Sequence, residues 1–363
     1  MGSFSGGRSN SRTRRTRGQG LVGSLLATAL FAACGPAAPP MPSGSGAAGS
    51  AVSLVAVAQE TPPRLRVGRN AWVAVSVATV WRSPDSPREV DAPALTRPAR
   101  ITEWLAGMTT SERRSLWHRS DSQALLGDRV RVVGLRPGWA QVVVPSQPSP
   151  LDSRGYPGWV PRRQLTAVHP TASRLRATVL NRSAWLKADR AHGRRLFQVS
   201  FGTRLPVVGE TAKAVRVAMP DGAVRRLAKV TVTVHDRRDP ALPPTRRSIV
   251  RMAKSFLGLD YLWAGTSGFG FDCSGLMSLD YRVHGLTIPR DALPESREGT
   301  PVSRPRRGDL LFFATDGVVH HVAMYVGRGR MVHSPGTGRS VEVTPLATPE
   351  YASEYAGSRR YLP

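Results

Sequence analysis

The chain is 363 residues long, with 40% hydrophobic residues, 35 glycines, 30 prolines and only 7% aromatic residues. That leaves room for two or three domains with folded cores, rich in turns and short strands rather than long helices. The formal net charge of +26 suits work beside an anionic surface such as lipid headgroups or wall polymers. No zinc pattern, RNA-binding aromatic signature or basic helix is evident, which argues against nucleic acid, and the arginines are spread along the whole chain, so the charge alone decides little.

In chain order, Arg8, Arg12, Arg14, Arg15 and Arg17 precede Leu21 to Ala33, an apolar run of 13 residues. Such a run is too short to span a bilayer comfortably and suits the core of a signal peptide. It ends in Phe31-Ala32-Ala33-Cys34, which leaves two readings. Small residues before a cysteine resemble the lipobox of bacterial lipoproteins, where Cys34 would become the acylated N-terminus; Phe31 departs from the aliphatic residue usual there. Alternatively, an ordinary signal is cleaved near Ala33 and Cys34 is incidental. The lipoprotein reading accounts for one of only two cysteines and is the one adopted. Residues 1–33 are then the signal, and 34–66, rich in Ala, Gly, Pro and Ser, form a flexible tether. An exported protein anchored on the outer side of the cytoplasmic membrane is expected.

Residues 67–166 change to short alternating strands. Trp72–Val75, Val77–Trp81, Arg129–Val133 and Trp139–Val144 read as strands, with the turn Arg136-Pro137-Gly138 between the last two. Between them Ile101 to Trp117 reads as a helix, with Ile101, Trp104, Leu105 and Met108 on one face. With the closing run Gly155-Tyr156-Pro157-Gly158-Trp159-Val160, the unit resembles a bacterial SH3 barrel carrying a helical insertion. Residues 167–236 repeat the pattern more loosely and read as a second SH3-like barrel acting as a spacer.

A charged, proline-containing linker leads to the third domain, 245–363. Thr245 can cap a helix whose apolar face is Ile249, Ala253, Phe256 and Leu257, with Gly258 as its stop. Leu276, Met277, Leu279 and Val283 suit a second helix, stopped by Gly285. Strands at Leu310–Phe313, His321–Val326, Arg330–His333 and Val341–Thr344 then complete a helix-then-sheet domain of the α+β type.

Cys273 sits at the start of the second helix, behind the candidate N-cap Asp272. With Cys34 in the export segment, Cys273 has no partner for an internal disulfide and is either a packed structural thiol or a working nucleophile. In the first helical turn, unpaired N–H groups and the helix dipole are expected to lower its pKa. Of the eight histidines, His118, His169, His192 and His235 read as surface residues and His284 as a polar end group. Strand alternation turns His321 toward the cysteine helix and His320 elsewhere. The turn Gly327-Arg328-Gly329 brings His333 back beside His321, so that one ring can orient the other. A His₂Cys metal site from the same three residues is chemically reasonable, but the spacing matches no familiar zinc pattern; no metal or other cofactor is called for.

Tyr261-Leu262-Trp263, Asp272-Cys273-Ser274-Gly275, Pro289-Arg290-Asp291, Gly308-Asp309-Leu310, His321-Val322-Ala323-Met324-Tyr325 and Met331-Val332-His333 occur in order over about a hundred residues. Together they resemble the NlpC-type papain-like cysteine peptidases that cut bacterial cell-wall peptides. The whole mature chain resembles the branch with two SH3 domains ahead of the peptidase, the γ-D-glutamyl-L-diamino acid endopeptidases. The resemblance implies two all-β SH3-like barrels followed by an α+β papain-like domain. It makes Cys273 the nucleophile, His321 the general base, His333 the orienting group, and Tyr261 an oxyanion donor beside the Cys273 N–H. It assigns Asp272, Ser274, Asp291 and Trp263 to substrate binding. It also places Tyr156 and Asp121 of the first barrel against a free N-terminal L-alanine, with Asp128 as an alternative acid. Peptidoglycan stem peptides are the implied partner, cut through an acyl-enzyme by a monomer. Ala264 and Ala323 replace family glycines, Ser296 a common glutamine, and Asp121 a more common glutamate; none of these changes removes a catalytic group. The competing possibilities are a wall-binding module without catalysis and a broader hydrolase of intact peptidoglycan.

Overall fold

The computed structural model describes residues 64–363; the expected signal segment, Cys34 and nearly all of the tether lie outside the described residues. Among the described residues, no helix is long and apolar enough to cross a membrane.

The first barrel is a seven-stranded antiparallel sheet. Its strands run in the spatial order Ser120–Leu125, Val77–Trp81, Tyr156–Pro161, Trp139–Val144, Arg129–Arg136, Asn70–Val73 and Leu165–Thr166. Alternation is visible at Arg129–Val132, where the arginines are exposed and the valines buried, as a half-buried sheet requires. The strand Ser120–Leu125, unread in the sequence, is buried along nearly its whole length: it is covered on both faces, so no alternation marks it.

The insertion differs from the expected single helix. Helical turns Ile101–Gly107 and Thr110–Arg114 are separated by Met108, whose backbone is extended (φ −92°, ψ 132°). Thr109 starts the second segment as a capping box: its hydroxyl accepts from Glu112 N at 3.2 Å, and the Glu112 carboxylate accepts from Thr109 N at 2.7 Å. That local closure outcompetes continuation of the first helix. Ile101, Trp104 and Met108 are buried as the periodicity predicts. The Trp104 indole donates to the buried Asp91 carboxylate at 2.8 Å, which Arg88 also holds.

The second barrel repeats the seven-stranded order around its own small core of Val179, Leu186, Val199 and Leu227. The third domain has a six-stranded antiparallel sheet, in the order Thr300–Pro301, Tyr355–Arg360, Leu310–Thr315, Val318–Gly327, Arg330–His333 and Glu342–Pro345. The helices Arg246–Lys254 and Cys273–Val283 pack together beside this sheet. The Thr245 hydroxyl caps the first of them by accepting from Ser248 N. Leu257, expected on its buried face, is instead exposed, because regular helix ends at Lys254 and the following turn swings it outward. Asp272 caps the second, accepting from Gly275 N at 2.6 Å. A Cβ on Gly275 would lie 2.0 Å from the Gly265 carbonyl oxygen, so only glycine lets the first turn of the cysteine helix approach that loop.

The first barrel and the third domain share one continuous apolar core. Across the seam Trp263 Nε1 donates to Ser120 O at 2.9 Å, Thr266 N to Gln123 Oε1 at 3.0 Å, and Arg290 N to Pro148 O at 3.1 Å. Arg282 is ion-paired with the buried Asp128. The second barrel also contacts the third domain, where Phe201, Phe256 and Phe271 stack edge to face at 4.9 Å each. Removing one member of a buried ion pair leaves the other uncompensated and costs about 3–5 kcal/mol. Asp128→Ala is therefore expected to lower the urea midpoint of the transition that reports the first barrel and the third domain; an unchanged midpoint would show that the seam does not depend on this pair.

Candidate active site

Asp272 sets the geometry. By capping the helix it fixes Cys273 at the first helical position, with its thiol against the N–H groups of Val322 and Ser274. The bridge between Tyr261 and Phe271 brings Tyr261 beside the same strand end. The neighbouring Ala264, where the resemblance predicts glycine, is held at φ 62°; a side chain in this left-handed region costs roughly 1 kcal/mol.

His321 is buried on the strand Val318–Gly327, and its Nε2 lies 2.9 Å from His333 Nδ1. With Nε2 so occupied, Nδ1 is the ring nitrogen left to face the cysteine. The reversal between the two strands is tight: Gly327, Arg328 and Gly329 all have positive φ. His333 Nε2 continues the chain to Thr344 Oγ1 at 3.2 Å and Glu342 Oε1 at 3.5 Å. Glu342 is itself paired with Arg339.

Cys273, His321, Tyr261, Trp263, Asp272, Ser274, Asp291, Tyr156 and Asp121 line one cavity of about 370 Å³. His333 stands behind His321 and is fully buried. All the site residues expected from the sequence within the described residues are thus brought together, whereas Asp128 lies in the seam with Arg282 and outside the cavity lining. The first barrel forms one wall. Tyr156 donates to Asp291 Oδ2 at 3.0 Å, and Arg82 donates to Asp121 Oδ1 at 2.7 Å. Ala323 replaces its glycine without strain, packed among Leu311, Phe313 and Met331.

Sequence reasoning missed several groups. Arg290 lay inside a quoted motif without a role, yet it is fully buried and holds both Asp272 oxygens and the hydroxyls of Ser274 and Ser122. The signal that could have found it is the pairing of a lone basic residue with two nearby acids in an apolar stretch. Glu342 and Arg82 carried no signal: their neighbours come from strand pairings such as His333 with Glu342, which nothing local specifies.

The electrostatics correct one expectation. Burial pushes the Cys273 thiol up to about 12, the Asp272 carboxylate adds to the rise, and the Val322 and Ser274 N–H groups oppose it. Desolvation thus outweighs the helix end. Burial also holds His321 well below 6.5, with His333 pushing the same way. His333 is lowered to about 4, again by burial, against the pull of Glu342. The resting pair is a neutral thiol and a neutral imidazole, suited to proton transfer during attack rather than to a preformed thiolate. Burial likewise raises Tyr261 well above 10, so its phenol stays protonated and can donate.

A buried cysteine at a helix start, facing a histidine pair on adjacent antiparallel strands, defines a papain-like cysteine peptidase. Comparison with known proteins makes the family specific. Residues 258–360 match the profile of the NlpC/P60 family, and residues 179–235 match the YKFC SH3b2 domain. The chain is 44% identical over 305 residues to the gamma-D-glutamyl-L-lysine dipeptidyl-peptidase of Bacillus cereus, covering 81% of this chain and 91% of that protein. It is 38% identical over 292 residues to the Bacillus subtilis protein of the same name, covering 78% and 96%. The crystal structure of an NlpC/P60 family protein from Bacillus cereus superimposes with a TM-score of 0.77 at 43% identity, covering 81% of this chain and all of that one. The chain belongs to the NlpC/P60 family of cysteine peptidases, with two SH3-like domains ahead of the peptidase.

The neutral resting pair has a measurable consequence. A thiol with a raised pKa is almost wholly protonated at neutral pH, and its thiolate fraction grows about tenfold per pH unit until the pKa is reached. Alkylation of Cys273 by iodoacetamide in the free enzyme is expected to accelerate steadily from about pH 7 to 10. A rate already level from about pH 5 upward would instead reveal a resting thiolate–imidazolium pair.

Proposed function

We propose that the chain is a cell-wall peptide hydrolase that cleaves the bond between γ-D-glutamate and the following diamino acid in peptidoglycan stem peptides carrying a free N-terminal L-alanine. The observation that carries this reading is the lining of one cavity by Cys273 and His321 together with Asp121 and Tyr156 of the first barrel. The relatives' names, which specify a γ-D-glutamyl-L-lysine dipeptidyl-peptidase, support the same bond and the same dipeptide product. The N-terminal run ending in Cys34 supports export and lipid anchoring.

The reaction follows from the groups present. His321 Nδ1 takes the proton of the Cys273 thiol as sulfur attacks the γ-carbonyl carbon of the D-glutamyl residue. The oxygen that gains charge is met by the Cys273 N–H and the Tyr261 hydroxyl. Collapse breaks the amide bond, and the imidazolium returns its proton to the departing nitrogen. A water molecule, deprotonated by the same ring, then hydrolyses the thioester and frees Cys273. His333 holds the His321 ring in register, and the bond to Glu342 steadies His333 in turn.

At the other end of the cleft, an ammonium brought out of water needs an anionic partner. Asp121, Asp291 and the Tyr156 hydroxyl supply that environment, whereas an N-acylated stem offers no charge to match it. Asp272, Ser274 and the Trp263 ring form part of the cavity lining and are read as contacts to the D-glutamyl residue.

L-Alanyl-γ-D-glutamyl-L-lysine is to be supplied with a free and with an acetylated N-terminus, to wild type, Cys273→Ala and Asp121→Asn. Wild type is expected to release L-alanyl-D-glutamate from the free form only, Cys273→Ala to release none, and Asp121→Asn to lose at least about tenfold in kcat/KM on the free form. Equal cleavage of both forms would retain the nucleophile and remove the amine-binding role, favouring a hydrolase of intact peptidoglycan. Wall binding without any Cys273-dependent turnover would favour a binding module.

A further inference from the structure

We infer that the short helix Pro349–Glu354 builds the subsite for the residue that supplies the leaving nitrogen, and that Glu350 and Glu354 select a cationic side chain there. The inference rests on the reaction proposed above and adds the residues that read its leaving group.

The direction of the cleft fixes where that residue lies. The leaving nitrogen takes its proton from His321, so its residue sits on the histidine side of Cys273, opposite Asp121 and Tyr156. Tyr351 stacks on His321 and Glu354 lies beside His320, which puts them on that side, and Val319, Pro335 and Glu350 line the same cavity. Val319 and Pro335 are half-buried and Tyr351 is buried. Together they offer apolar surface on which the methylenes of a long side chain can lie.

The helix is anchored from beneath. The Tyr351 ring stacks on His321 with centroids 6.1 Å apart and meets His333 and Phe313 edge-on at 5.0 and 5.5 Å. Its hydroxyl accepts from Arg339 at 3.2 Å. Glu350 and Glu354 are four residues apart, and therefore on one face of the helix, flanking the fixed tyrosine. Their side chains are 63% and 33% exposed, so the carboxylates remain within reach of a ligand.

The charges facing this pair are few. Arg339 comes within 4.0 Å of Glu350, but its other contacts are Glu342 and Tyr351. His320 Nε2 lies 3.4 Å from Glu354, whose other oxygen accepts from Thr315 at 3.3 Å. Two carboxylates thus close a slot with apolar walls, and the group that fits is an amine at the end of an alkyl chain, as in lysine or another diamino acid. The same slot disfavours a neutral chain only weakly and an acidic one strongly, because like charges would meet without compensation.

The test compares L-alanyl-γ-D-glutamyl tripeptides ending in lysine or in norleucine, whose chain lacks the amine. In wild type, kcat/KM is expected to favour lysine by about three- to tenfold, a range set by one or two partly exposed charge pairs. In the double variant Glu350→Gln with Glu354→Gln that ratio is expected to fall toward one, and in wild type it should shrink with added salt. The ratio is internal to each preparation, so partial loss of folded enzyme does not affect it. Equal turnover of the two peptides by wild type, or a double variant that keeps the lysine preference, overturns the subsite and leaves the reaction intact. Turnover of neither peptide by wild type overturns the reaction itself and the subsite with it.

Discussion

The buried pairing of Arg290 with Asp272 is the contact on which the site depends. Arg290 reaches both carboxylate oxygens, at 2.7 and 3.1 Å, and adds bonds to the hydroxyls of Ser274 and Ser122. Asp272 in turn caps the cysteine helix, and Ser122 belongs to the first barrel. One guanidinium therefore ties the helix start, the cavity floor and a separate domain together. A charge taken this far from water persists only with near-complete compensation, and a planar fork of five donors can provide it where a lysine ammonium could not. The cost of an uncompensated guanidinium holds the barrel and the peptidase domain in one register.

That arrangement has an electrostatic consequence for Cys273. The carboxylate that orients the helix also lies close to the thiol, and it adds to burial in raising the thiol's pKa. The helix end pulls the other way, but only the Val322 and Ser274 N–H groups act directly on sulfur. The site gives up a standing thiolate and sets a neutral thiol in one cavity with His321, also neutral, which can accept the proton. For such a transfer the orientation of the imidazole matters as well as its basicity. This explains why His321 is bonded to a second ring that is itself held by Thr344 and Glu342.

Much of this was legible in the sequence because the signals are local. Asp272 before an apolar helical repeat announces a cap, and Gly327-Arg328-Gly329 announces a reversal. Alternation through His321 is a poorer guide: Val322 and Met324 pack with the cysteine helix, Ala323 packs in a separate cluster with Phe313, and His320 lines the cavity together with His321. The helical insertion was readable in its buried face, Ile101 and Trp104, but not in its break, since a capping box at Thr109 competes with a periodicity that runs on past it. The pKa of Cys273 was misjudged for a related reason: the helix end is written in the sequence, while desolvation depends on what covers the thiol. Arg82, Glu342 and the strand at Ser120 were invisible because their partners lie across long-range pairings that no short stretch encodes.

The two barrels contribute unequally, and charge explains the first one's part. The second barrel buttresses the cysteine helix from behind, through Phe201 and the stack leading to Phe271. The first contributes Asp121, Tyr156 and Arg82 to the cavity wall. There and on the floor, three carboxylates, Asp121, Asp272 and Asp291, face two guanidiniums, Arg82 and Arg290. Asp291 registers the imbalance: burial pushes its carboxyl up and the other two acids add to the rise, although Arg290 and the Tyr156 hydroxyl pull against them. A further positive charge would ease the imbalance, the more so because the buried Glu295 acts on the same groups. An aspartate at position 121 is shorter than glutamate and is already drawn toward Arg82, so a ligand ammonium would be shared with Asp291 rather than held by one acid. On the proposed reading, selectivity for a free amine would arise from the collective charge of the wall, which a neutral amide at the same place would leave uncompensated.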